Sequence, residues 1–160
     1  MCPIMNDEAY MDLAIAKARE GIAVGQMPVG AVLVRDHTIV CAVYNTVWRD
    51  LDPTAHGEMN AVRHAATALR TVDLTGSTVY VTLEPCPMCL GAMHWARISR
   101  VVYGASIADS ATLGFSELGI PAIELARLGK SPLRVDVGPR RRECLALLEE
   151  WRTSGNARTY

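Results

Sequence analysis

Two short stretches carry residues whose types and spacing can do chemistry: Ala55-His56-Gly57-Glu58 and Glu84-Pro85-Cys86-Pro87-Met88-Cys89. One imidazole and two thiolates are ligands of the kind zinc takes, and three protein ligands leave a tetrahedral ion one open position. A water in that position has its pKa lowered toward neutrality, which makes hydroxide available at ordinary pH. Glu58, two residues beyond the histidine, can reach such a water without being a ligand, the place of a general acid/base. His56, Cys86 and Cys89 are therefore the expected metal ligands for one zinc per chain, and Glu58 the expected catalytic residue. A zinc-stabilised subunit without catalysis would close its site with four protein ligands and would need no carboxylate beside it.

Bringing these residues together is the task of the surrounding elements. Asp7 to Val24 has a broad apolar face at helical spacing, with Asn6 as N-cap and Gly25 as stop. Val29 to Val34 and Thr38 to Tyr44 read as strands joined by a tight turn at Asp36-His37. A polar, irregular stretch runs from Thr46 to Pro53. Ala55 to Leu69 then reads as a helix capped by Thr54, which puts His56 and Glu58 in its first turn. Ser77 to Leu83 is a strand of the buried type, and Pro85 marks the start of a second ligand-bearing helix. Cys86 and Cys89 fall on one face of it, since positions three apart are neighbours. Its positive end favours thiolate over thiol. Val101 to Tyr103 is a short strand, Ala122 to Leu128 a short helix, Leu133 to Val137 a last strand, and Arg140 to Trp151 a last helix. Strands alternating with helices predict an α/β domain, a three-layer α/β/α sandwich around a central mixed sheet of about five strands.

The 160 residues suit a single domain, 1–160, with 152–160 as a polar C-terminal tail. A net charge of −1 is not the basic footprint of a dedicated nucleic-acid binder. The basic run Arg140-Arg141-Arg142 is read as a solvated helix face. No apolar run approaches the ~20 residues of a membrane span, and Met1 to Asp7 shows no secretory pattern. Five cysteines, two of them in a metal spacing, predict a reducing, cytoplasmic setting without a disulfide framework. Cys41 and Cys144 are expected as buried small hydrophobes and Cys2 as exposed. His37 is read as a turn residue, and His64 and His94 as structural.

At the two motifs, H-x-E and P-C-x-x-C, the sequence resembles the cytidine deaminase superfamily of zinc-dependent nucleobase deaminases. The likeness is to the branch holding tRNA adenosine, guanine and fungal cytosine deaminases. It runs from about Asp7 to Trp151 and is densest at Pro28-Val29-Gly30-Ala31-Val32, at Asp52 through Glu58, and from Leu83 through Arg97. The resemblance implies hydrolytic deamination of an aminated ring. Trp95-Ala96-Arg97, Gly114-Phe115-Ser116-Glu117 and the last residue, Tyr160, are similar to guanine deaminases. In those enzymes an acidic residue at the position of Glu117 reads the base, and the terminal tyrosine covers it from a tail exchanged between subunits. Val29 departs from that pattern, standing where guanine deaminases usually carry Phe, and it matches the tRNA enzymes; Gly57 replaces the commoner Ala, as in the cytosine enzymes. The resemblance thus implies guanine converted to xanthine and ammonia, with tRNA adenosine and cytosine or an aminated triazine as alternatives. It also implies a homodimer, and Asn45, Glu117, Trp95, Ala55, Val29 and Tyr160 as substrate-binding residues.

Overall fold

The computed structural model describes residues 5–160, so Cys2 lies outside the described residues. Asn6 caps the first helix, α1 (Asp7–Ala23), by accepting the Ala9 N–H on its side-chain oxygen at 3.0 Å, and Gly25 leaves it at φ +78°. Strands β1 (Gly30–Arg35) and β2 (Thr38–Tyr44) form an antiparallel hairpin. Its two-residue turn puts Asp36 and His37 at φ 49° and 60°, the left-handed pair that matches strand twist. A short helix α2 (Val47–Asp50) precedes α3 (Gly57–Leu69). Then come β3 (Ser77–Leu83), α4 (Pro87–Trp95), β4 (Arg100–Ala105), α5 (Ile107–Ala111), α6 (Ala122–Leu128), β5 (Arg134–Val137) and α7 (Arg141–Thr153).

The sheet order is β2-β1-β3-β4-β5, antiparallel across β2-β1-β3 and parallel across β3-β4-β5, a mixed five-stranded sheet as expected. Helices α1 and α7 pack on each other and on the strands, while α3, α4 and α6 form a second layer. The approach of α1 and α7 is close enough to require glycine. A Cβ on Gly30 would collide with the Ala14 carbonyl, and one on Gly104 with the Cys144 sulfur. Val32, Leu33, Val79, Val81, Val101 and Val102 fill the sheet interior. No helix among the described residues is long and apolar enough to cross a membrane.

Both helices expected to carry ligands begin later than the sequence reading placed them. Thr54 does not cap α3. Its N–H and hydroxyl both bond to the Asp52 carboxylate, at 2.8 and 2.7 Å, in a side-chain-closed turn that uses up its capping capacity. The helix starts at Gly57 with His56 at the N-cap position. Likewise α4 starts at Pro87, with Cys86 at its N-cap, rather than at Pro85. The reason is the proline preference for the first helical position, which Pro87 satisfies and Pro85 does not. The basic run is taken up in ion pairs, Arg140 with Asp12 at 2.8 Å, Arg141 with Asp109 at 2.8 Å and Arg142 with Glu143 at 3.3 Å.

Candidate active site

The N-cap positions of α3 and α4 face each other, and neither side chain there makes a capping hydrogen bond. Both are instead turned to a common point. The Nδ1 of His56 lies 3.7 Å from the Cys86 sulfur and 3.5 Å from the Cys89 sulfur, and the three ligand atoms all fall within 4.8 Å of one another. Zinc–nitrogen bonds of ~2.0–2.1 Å and zinc–sulfur bonds of ~2.3 Å at a tetrahedral angle require an N···S spacing of about 3.6 Å. The three residues could hold the ion without rearrangement. Cys89 is buried in the first turn of α4.

The electrostatics fit that use. The Cys86 thiol is brought down to about 4, first by the hydrogen bond from Cys89 and then, against burial, by His56. That same bond, together with burial, pushes the Cys89 thiol well up. One proton is thus shared between two sulfurs, and a dication in its place would leave both as thiolates. Burial works to lower His56, but the Cys86 sulfur and the carboxylates of Glu58 and Glu117 outweigh it, and the net direction is upward. On its far side, His56 Nε2 stands 2.6 Å from the Tyr160 hydroxyl. With Nδ1 given to a metal, Nε2–H donates to that oxygen and fixes the ring orientation.

A cavity of about 240 Å³ opens over this cluster. Its polar wall includes Asn45, Glu58, Glu84 and Glu117, and its apolar wall includes Val29, Leu83 and Phe115. Glu58 is only 4% exposed, and burial pushes its carboxyl up to about 8 against the opposing influence of His56. Burial, with Cys86 adding to it, likewise pushes Glu117 up to about 7, and its buried Oε2 has no hydrogen-bond partner among the described residues. Asn45 is buried at the end of β2, its side-chain oxygen taking the Val47 N–H at 3.1 Å. Phe115 packs on Trp151 at a centroid distance of 4.9 Å and so fixes the loop bearing Glu117 to α7. The segment beyond α7 returns to the cavity of its own chain. Arg158 lies over Trp48 at 4.0 Å, Tyr160 meets the same indole edge-on at 5.7 Å, and burial pushes the tyrosine hydroxyl up to about 12.

Two expected substrate-binding residues do not line this cavity. Trp95, the last residue of α4, points outward, 83% exposed, in a shallow groove with His94 and Val72. It lies at the far end of α4 from the metal ligands, seven positions beyond Met88. Ala55 is buried, but its N–H goes to Asp52 and its carbonyl accepts from Thr46, so its backbone serves the loop. Conversely, Glu84, Met27 and Leu118 line the cavity and were not singled out from the sequence. An acid ending an otherwise apolar strand was the available signal for Glu84; Met27 and Leu118 gave none.

Residues 4–105 match the family model of the cytidine and deoxycytidylate deaminase zinc-binding region. The chain belongs to that family. It is accordingly a zinc-dependent aminohydrolase. Guanine deaminase of Bacillus subtilis is 42% identical over 114 residues, covering 71% of this deaminase and 73% of that protein. A tRNA-specific adenosine deaminase of Buchnera aphidicola subsp. Baizongia pistaciae is 46% identical over 100 residues, 62% of each chain. The match thus spans less than two thirds of that relative's length. Among solved structures, guanine deaminase from Nitrosomonas europaea superposes with a TM-score of 0.84 at 26% identity, over 94% of this chain and 87% of that one. Base-specific and tRNA-specific enzymes are both similar to this deaminase, so similarity fixes the reaction class and leaves the substrate to the site.

Proposed function

We propose that this deaminase acts on a free nucleobase, converting guanine to xanthine and ammonia, with His56, Cys86 and Cys89 holding the zinc. The observation that carries the reading is the Glu117 carboxylate, whose buried Oε2 lacks a partner in the cavity wall beside His56 and Cys86. An unpaired buried acceptor costs roughly 1–3 kcal/mol, and a ligand that brings donors recovers it. In guanine the amine-bearing carbon is flanked by an N–H on one side and a bare ring nitrogen on the other. In adenine and cytosine the ring nitrogen next to the amine is itself an acceptor, which an ionised carboxylate repels. The cavity of about 240 Å³ also suits one small heterocycle, being below the ~300–1,000 Å³ of sites for larger ligands.

In this reading zinc, when bound, supplies a Lewis acid and activates water at neutral pH. Glu58 takes a proton from the attacking water and delivers it to the bare ring nitrogen. It then takes the second proton from the added oxygen and passes it to the leaving amine as the carbon–nitrogen bond breaks, and the ring keeps the oxygen as a carbonyl. A carboxyl whose pKa lies near the working pH can both take and give a proton. Glu117 accepts from the ring N–H and the adjacent amine, while Asn45 serves a ring acceptor and Tyr160 covers the mouth. The exposed Trp95 and the half-buried Gly91 and Ala92 of α4, where a Cβ on Gly91 would meet nothing, suit a homodimer contact, and free thiols at Cys41, Cys86, Cys89 and Cys144 suit a reducing cytoplasm. A monomer by light scattering at micromolar concentration would remove the dimer.

The second reading, a tRNA adenosine deaminase, is favoured by Val29 and by the tRNA-specific relatives. The pairing of Arg140, Arg141 and Arg142 with acids speaks against it, because a phosphate backbone needs cations free to release counterions. Ammonia release by the zinc-loaded protein from guanine, cytosine, aminated triazines and tRNA decides. Guanine is expected to turn over fastest, and faster deamination of tRNA adenosine would overturn the proposal.

A further inference from the structure

Three carboxylates line the cavity, and the third has no part in the chemistry above. Glu84 follows β3 and immediately precedes Pro85-Cys86, and it is only 4% exposed. Its two oxygens are divided between two distant backbone donors. Oε2 accepts the N–H of Ile107 at 2.9 Å, and Oε1 accepts the N–H of Ala122 at 2.7 Å. Ile107 and Ala122 are the first residues of α5 and α6. Position 121, the N-cap of α6, is a proline without a capping side chain, so Glu84 supplies the acceptor that this helix start lacks. Between the two helices runs the segment 112–121, which brings Phe115, Glu117 and Leu118 to the cavity. Glu84 is thus bonded to the first residue of the helix that leads into that segment and to the residue that directly follows it. Its own backbone is fixed as well, its N–H donating to the Ala105 carbonyl at 2.7 Å.

We propose that Glu84 is a positioning residue: its carboxylate clamps the start of α5 to the start of α6 and so holds Glu117 at the distance from the Cys86 turn that substrate recognition needs. The inference rests on the reading of Glu117 as the base-contacting acid. Both Glu84 oxygens accept backbone N–H bonds, which commits the carboxylate to joining elements of the fold. A carboxylate that accepts two N–H bonds joins elements that the chain separates by 23 and 38 residues. Recognition and metal binding thereby share one strut, because the residue that fixes the recognition loop is two positions from the Cys86 sulfur.

The test uses the zinc-loaded protein and guanine. Glu84→Gln keeps the shape but turns one oxygen into an amide that opposes an N–H. The expected result is a rise in KM of about ten- to a hundredfold, the size of one lost charge-assisted bond, with kcat, its pH profile and zinc content at one per chain little changed. Hydrogen exchange should quicken at Ile107, Ala122 and across 112–121 but not in β1. Ala122→Pro is the second variant, since it keeps the carboxylate and removes one donor at a position where helices accept proline; it should act in the same direction. In a double-mutant cycle the Glu84→Gln effect should largely vanish in a Glu117→Gln background. Unchanged exchange across 112–121, an equal fall in kcat with KM fixed, or additive effects in the cycle would overturn the clamp. If instead Glu117→Gln alone leaves guanine turnover intact, the base-contact reading fails by itself, and the exchange data still judge the clamp.

Discussion

Replacing Glu117 by Gln separates the guanine reading from its rivals, because the change should affect activity and stability in opposite directions. In the enzyme with guanine bound, the carboxylate accepts two charge-assisted hydrogen bonds, each worth roughly 1.5–3 kcal/mol. Glutamine keeps one acceptor and presents an amide N–H to the second donor, so one bond is lost and one donor is left opposed. The combined loss is about 3–5 kcal/mol, or about 10²–10⁴-fold in kcat/KM. In the free protein the same change is a relief. Burial raises the Glu117 carboxyl from 4.5 to about 7, so ionising it inside the fold costs stability as pH rises through that window. Above the window the cost reaches up to roughly 3 kcal/mol before any zinc charge is counted. At pH 5 the parent carboxyl is protonated in the fold and the difference should largely disappear. The variant should therefore melt a few degrees above the parent at pH 8, at about 2–4 °C per kcal/mol for a chain of this size, and close to it at pH 5. Steady-state guanine turnover, zinc content and thermal melts at the two pH values make the measurement. Turnover within tenfold of the parent refutes the recognition role. A lower melting temperature at pH 8 would mean that protein donors already hold the carboxylate.

Glu58→Gln should retain zinc and, by the same relief of a buried carboxyl, melt at or above the parent at pH 8, while turnover drops on the order of 10²–10⁴-fold, read by ammonia release; loss within tenfold would assign the proton shuttle elsewhere. Cys86→Ala should abolish stoichiometric zinc by elemental analysis and lower the melting temperature, since metal binding is partly folding free energy; a full complement of zinc in that variant would refute the ligand set. Tyr160→Phe removes the hydroxyl 2.6 Å from His56 Nε2 and should weaken zinc affinity by about 10–100-fold, measured by chelator competition; unchanged affinity would leave Tyr160 only a cover over the cavity.

The parts of the fold legible in the sequence are those that local chemistry dictates. Apolar runs marked the strands, two left-handed turn residues marked the hairpin, and Asn6 marked the start of α1. The metal cluster was legible because its ligand types are few and its spacing is short. The helix starts at Thr54 and Pro85 were misplaced by two positions each, because a side-chain turn on Asp52 and the choice between two prolines decided them. Helices α2 and α5, four and five residues long, are too short to show a period. Trp95 was placed at the substrate by resemblance, whereas the phase of α4 sends it outward. Glu84 was missed for a different reason: its partners lie far along the chain, and no local pattern encodes them.

The cavity holds three glutamates, and their surroundings rather than their chemistry distinguish them. Glu84 has both oxygens engaged by backbone N–H donors, so it is fixed in place as part of the fold. Glu58 sits in the first turn of α3, where burial raises its carboxyl to about 8, and the two-residue spacing from His56 keeps it beside the metal ligands. That environment suits a group which must hold a proton at one moment and release it at the next. Glu117 lies on a connecting segment, with one oxygen buried and unpaired. A group left unsatisfied in a well-packed wall is best explained by a partner that arrives with the substrate. Exchanging any one of these environments would change the task of its glutamate without changing the residue. Glu84→Gln, Glu58→Gln and Glu117→Gln are therefore expected to fail in three distinguishable ways: in loop order and KM, in proton transfer, and in recognition of the base.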